Sequence, residues 1–121
     1  MDTTIQIGNR KQIAMWEEKL KIYDELISKC PKFKRKGKTV PYTSANGYMF
    51  SILNKDGEIG IRFSKKIQKK YMEDWGTTIF KSHGATMQGY VFIPQSMLQD
   101  LDHLTEFLVE SYNYVMSLEP K

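Results

Sequence analysis

The sequence predicts an α+β fold: an antiparallel sheet with helices packed on one side, in the order α-β-β-β-α-β-β-α, forming a single domain over residues 1–121. Three observations lead there. Apolar residues recur at helical spacing in three separate stretches. Between these stretches lie short runs rich in Tyr, Phe, Ile and Val, the residues that fit a pleated surface. Those runs also come consecutively rather than singly between helices, which argues for hairpins and an antiparallel sheet. A chain of 121 residues is long enough to bury a modest core.

The first helix is expected from about Asn9 to Ser28, with Ile13, Trp16, Leu20, Tyr23 and Ile27 on one face and Asn9 as its N-cap. Pro31 holds Cys30 out of the helical region and ends it. "KFKRKGKT" then reads as a basic loop. "TVPYTS" is a short strand, placed at a sheet edge because Pro41 cannot donate to a ladder. "GYMFSIL" and "EIGIRF" are joined by "NKDG", whose Asp-Gly tolerates a tight turn, and this hairpin is expected at the centre of the sheet. Strict alternation puts Tyr48, Phe50 and Ile52 on one face. It sets Ile59, Ile61 and Phe63 inward, and leaves Gly60 as bare backbone on the outer face.

Ser64 caps a second helix with Ile67, Tyr71 and Trp75 as its apolar stripe and Gly76 as its stop. "TTIF" and "ATMQGYVFI" follow as strands on either side of "KSHG", and Pro94 ends the second. "SMLQDL" reads as a short helical turn. The last helix is expected from about His103 to Leu118, capped by Asp102, with Leu104, Phe107, Leu108, Ser111, Val115 and Leu118 inward.

Charge is polarised along the chain. Residues 29–70 hold twelve Lys or Arg against Asp56 and Glu58, a net +10, whereas residues 71–121 carry −5 and residues 1–28 carry −1. "KCPKFKRKGK" has six cations in ten residues, and "SKKIQKK" repeats the theme on a helix. Lys65 and Lys66 fall in that helix's first turn, where the dipole already presents positive charge and acids are the usual choice. Such a placement suits an anion-binding surface. Lys32, Lys34, Arg35, Lys36, Lys38, Lys65, Lys66, Lys69 and Lys70 are therefore the candidate residues for an acidic partner, expected to form one cationic surface.

Chemistry is otherwise sparse. No phosphate-loop, dinucleotide, nucleophile-elbow or zinc-protease motif occurs. Cys30, the single thiol, has Lys29 and Lys32 nearby but no base placed to activate it. His83 and His103 lack a Cys or His at ligand spacing. Tyr42, Tyr48, Phe50 and Tyr90 on strands invite a base-stacking reading, against which stands the ordinary preference of aromatics for strands and cores. No catalytic residue, metal or cofactor is expected. One cysteine fits a reducing compartment, no apolar run is long enough to span a bilayer, and the N-terminus lacks a secretory pattern, so a cytoplasmic protein is expected.

Several of these stretches resemble the TfoX/Sxy N-terminal-domain family. "GYMFSILNKDGEIGIRFS" is similar to that family's hairpin, "GATMQGYVFIP" to its following strand, and "FLVESYNYVMSLEPK" to the closing helix and tail of small stand-alone members. The likeness covers roughly residues 10–121 and rests on structural rather than catalytic motifs. It implies an α+β fold, no enzymatic activity and a regulatory role in bacteria. Members usually carry a second, C-terminal domain, which would begin where this sequence ends, so a small stand-alone member is expected. Two functions are accordingly expected. The first is a regulatory module that binds an unidentified protein or a second copy of itself as a homodimer. The second is a nucleic-acid-binding module using segment 29–70.

Overall fold

A computed structural model describes the backbone of residues 2–121 and the side chains from Ile13 onward. Its elements are α1 (Asp2–Ser28), β1 (Tyr42–Ala45), β2 (Tyr48–Leu53), β3 (Ile59–Arg62), α2 (Lys65–Trp75), β4 (Ile79–Ser82), β5 (Ala85–Phe92), a short 3-10 turn (Gln95–Gln99) and α3 (Leu101–Met116). The five strands make one antiparallel sheet in the order β1-β2-β3-β5-β4. The fold is α+β in the expected order, and the β2–β3 hairpin lies inside the sheet. The expected edge strand, β1, is outermost.

Both outer helices start earlier than their sequence signals suggest. Asn9 falls within α1 rather than at its cap, and its side chain lies outside the described residues. α3 is capped by Asp100, whose Oδ1 accepts from the His103 N–H at 3.2 Å, so Asp102 stands in the first turn instead. α2 has the expected ends. Ser64 accepts from the Ile67 N–H, and Gly76 closes the helix at φ 62°.

All three helices contribute to the core on one face of the sheet. Tyr23 and Leu26 of α1 and Leu104, Leu108 and Val115 of α3 meet Phe50, Ile59, Ile61, Phe63 and Val91, while Tyr71 and Trp75 of α2 pack against this group. A smaller cluster on the opposite face joins Ile52, Phe80 and Tyr90.

The sheet departs from strict alternation at one point. Thr43 pairs with Ser51 but Ser44 pairs with Met49, so Phe50 is an extra, unpaired residue in β2. The bulge shifts the pleat by one. Phe50 stays in the helix-side core, Ser51 also turns inward, and Ile52 is sent to the outer face, away from Tyr48 and Phe50. Gly60 is not bare either. The Phe80 ring lies over it, so close that a Cβ there would sit 2.5 Å from Phe80 Cγ.

A turn absent from the sequence reading joins β1 to β2. Asn46 (φ 57°) and Gly47 (φ 84°) form a two-residue connection between the paired Ala45 and Tyr48, the backbone of a type I′ hairpin.

Candidate functional site

The nine candidate cations are all exposed, but they form two groups rather than one surface. Lys32, Lys34, Arg35, Lys36 and Lys38 lie on the loop that runs along the β1 edge, where Lys36 bridges to Tyr42 and its Nζ donates to Ser44 Oγ at 2.9 Å. The loop is anchored by Phe33, buried against Phe50 and Tyr112. Lys65, Lys66, Lys69 and Lys70 lie on α2, which packs on β5. In the sheet β2 and β3 separate β1 from β5, and α3 crosses over β1, β2 and β3.

Some of these cations are already satisfied. Arg35 makes a forked contact with Asp24 at 3.0 and 3.3 Å and also donates to the Gly37 carbonyl. Lys70 pairs with Asp74 one turn on at 2.5 Å. Lys29, part of the same basic run, pairs with Asp102. Lys32, Lys34, Lys38, Lys65, Lys66 and Lys69 have no ion pair or side-chain hydrogen bond among the described residues.

The residues with possible chemistry are placed as follows. Cys30 is 4% exposed, its Sγ donates to the Leu26 carbonyl, and burial pushes its thiol above the usual range. His83 occupies the tip of the β4–β5 turn at φ 54°, and His103 stands in the first turn of α3 near Glu106. Among the described residues no three His, Cys, Asp or Glu side chains converge as a metal site would require. No described helix is long and apolar enough to cross a membrane. Of the four aromatics with a possible stacking role, Phe50 and Tyr90 are buried, while Tyr42 and Tyr48 are half-buried.

One site was not evident in the sequence. At the end of β3, the Arg62 guanidinium lies 5.4 Å from the Tyr48 ring centre and 5.9 Å from that of Tyr114 on α3. On Tyr48 a second cation, Lys121 Nζ, stands at 5.2 Å. Beside Arg62 opens a cleft of about 250 Å³ lined also by Lys65, Gln68, Gln88 and Gly89. The backbone fixes this geometry. The Arg62 carbonyl accepts from the Ser111 hydroxyl, Gln68 Nε2 donates to the Tyr90 carbonyl at 3.0 Å, and the Phe63 N–H donates to Gly89 at 2.9 Å. Gly89 takes φ 86°, a left-handed conformation that favours glycine, and a Cβ there would press on the Phe63 carbonyl at 3.2 Å while meeting Arg62 Cγ at ordinary contact distance. Of the predicted cations only Lys65 lines this cleft. The available sequence signal was an outward-facing arginine just ahead of a helix cap and two lysines. The contributions of Tyr114, Gln88 and Gly89 are tertiary.

No family model matches the chain, and no curated protein matches it significantly.

Proposed function

We propose that this domain is a small non-enzymatic regulatory module acting through contacts with a partner protein. The resemblance to the TfoX/Sxy N-terminal domain supports this reading, and the single, buried thiol suits a cytoplasmic setting. The observation that carries it is the apolar surface of α1. Ile13 is 58% exposed and Met15 62%, and with Met116 they are the exposed large apolar side chains among the described residues. Ile13 and Met15 adjoin Trp16, which is flanked by a cleft of about 400 Å³ shared with Ile13, Thr39 and Lys55 and another of about 240 Å³ shared with Met15, Lys55 and Asp56. Ile13 and Met15, two positions apart on the helix, thus flank Trp16 on either side, and exposed large apolar side chains beside a half-buried tryptophan are useful at an interface. The partner surface is an apolar segment of a protein, and a second copy of the chain is the first to test.

The test is sedimentation of the purified protein, with capture of partners from lysate before and after nuclease. Wild type should self-associate or retain a nuclease-resistant protein. The double substitution Ile13→Asp and Met15→Asp should lose that association at an unchanged melting temperature. Retention of every association by the double variant would refute the reading.

A second reading, nucleic-acid binding by segment 29–70, is favoured by the six candidate lysines that have no ion pair among the described residues. Phosphate-backbone binding weakens steeply with salt through counterion release, and an apolar protein interface changes little. Titration with short DNA and RNA at low and high salt separates the two.

A further inference from the structure

We propose that the cleft between the end of β3, the start of α2 and the end of α3 binds a single phosphate monoester. The proposal stands apart from the protein-contact reading and does not depend on it.

The first argument is Arg62. Its guanidinium offers five N–H donors in a planar fork, and none of them has a protein acceptor among the described residues. Arg62 is half-buried. Other cations of this protein reach carboxylates: Arg35 meets Asp24, Lys29 meets Asp102 and Lys70 meets Asp74. Arg62 is held by aromatic rings instead, Tyr48 and Tyr114, which orient the fork without using its hydrogen-bonding capacity. A pre-oriented guanidinium with free donors is suited to two oxygens of a phosphate.

The second argument is the sign of everything around it. Among the described residues no carboxylate lines the cleft, Lys65 lines it with Arg62, and the first turn of α2 carries no acid. The potential of two cations and the helix dipole therefore adds rather than cancels. That balance favours a dianion over a carboxylate.

The third argument is size and lining. Gln68 is 7% exposed, and one N–H of its amide is committed to the Tyr90 carbonyl. Its remaining amide capacity, with Gln88 and the Tyr114 hydroxyl, supplies neutral partners for the phosphate's other oxygens. A volume of about 250 Å³ is below the range of drug-sized pockets and admits one phosphate with its first ester group. Gly89, at φ 86°, presents no side chain to this cleft. An extended nucleic-acid strand needs a track of cations, whereas this open cleft is lined by two, Arg62 and Lys65.

The experiment is a ¹⁵N-detected NMR titration at fixed ionic strength, using inorganic phosphate, a phosphoserine peptide and a nucleoside 5′-monophosphate in separate arms. Saturable shifts are expected at Arg62 Nε, Lys65, the Gln68 side-chain amide and Gly89. Tightest binding by the peptide identifies a phosphorylated protein as the source, and tightest binding by the nucleotide identifies a small metabolite. Either result supports the site. Arg62→Gln should weaken binding by about tenfold or more, the scale of a lost charge-assisted fork, and Arg62→Lys should recover only part of it. The exposed Lys65→Gln variant keeps the test valid if Arg62 variants fold poorly, and Lys81→Gln on β4 serves as a control that should not change binding. Non-saturable shifts in all three arms, or equal affinity in wild type and Lys65→Gln, would overturn the proposal. So would single-stranded DNA binding with a salt slope of several phosphates at the same residues.

Discussion

Tyr23, Ser51 and Thr43 are all fully buried, and their hydroxyls form a chain: Tyr23 to Ser51 at 2.7 Å and Ser51 to Thr43 at 2.5 Å. This network exists because the bulge at Phe50 turns Ser51 toward α1. Ser51→Ala strands two buried hydroxyls, so chemical denaturation should register a loss of about 1–3 kcal/mol. Tyr23→Phe removes one end of the chain and should cost less. The same tyrosine predicts an alkaline limit. Burial raises the hydroxyl pKa values of Tyr23 and Tyr90 well above their usual place. A raised folded-state value means the stabilising contribution is complete below the unfolded pKa, about 10, and is lost as pH climbs from there toward the folded value. Melting temperature should therefore decline above about pH 10, and Tyr23→Phe should flatten that decline. A variant as alkali-sensitive as wild type would show that another group sets the limit.

At the scale of elements, the β1–β2 turn does two jobs. Asn46 takes positive φ beside Gly47, and its Nδ2 donates to the carbonyls of Val115 and Leu118 at 2.9 Å each, capping the end of α3 across the fold. Three substitutions separate these roles. Asn46→Gly keeps the turn and loses the cap. Asn46→Ala loses both, and should be the less stable by about 1 kcal/mol, the left-handed penalty of a residue with Cβ. Asn46→Asp should be the worst of the three at neutral pH, because it sets a carboxylate against helix carbonyls at the negative end of the dipole. Thermal melts of the three variants give the order directly. The same element marks where sequence reasoning stopped. Helix stripes, the Ser64 and Gly76 ends of α2 and the inward set Ile59, Ile61 and Phe63 were legible, because period and capping are local properties. The Asn46-Gly47 turn is an equally local signal, an Asn-Gly pair between two strands. The bulge at Phe50 was not legible, since apolar residues stand at both alternating sets of positions in "GYMFSIL" and no Gly marks the extra residue. Nor was Phe80 over Gly60, a contact between β3 and β4, which follow one another in sequence but are separated in the sheet by β5.

Over the whole molecule, the charge asymmetry of the chain is divided by the topology. The basic loop follows the β1 edge and the basic helix lies over β5, so a single run of cations in sequence becomes two surfaces. Lys65 joins Arg62, which sequence counted only as charge, and this pairing across a strand end is set by tertiary packing. The lysines at the start of α2 then carry a test of the molecule as a unit. Replacing Lys65 and Lys66 with Glu converts an unfavourable first turn into a favourable one, a gain of about 0.3–1 kcal/mol each at low salt that added salt should screen. If these lysines were only a solvated face, the double variant would be more stable and otherwise unchanged. If they serve an anion, the same variant should melt higher yet lose phosphate binding at the Arg62 cleft, because two negative charges replace the field that attracted it. Stability gained at the expense of binding is what a site retained for function produces. Melting curves and phosphate titrations on one protein preparation decide it, and a variant that binds phosphate as wild type does would return Lys65 and Lys66 to the solvated surface.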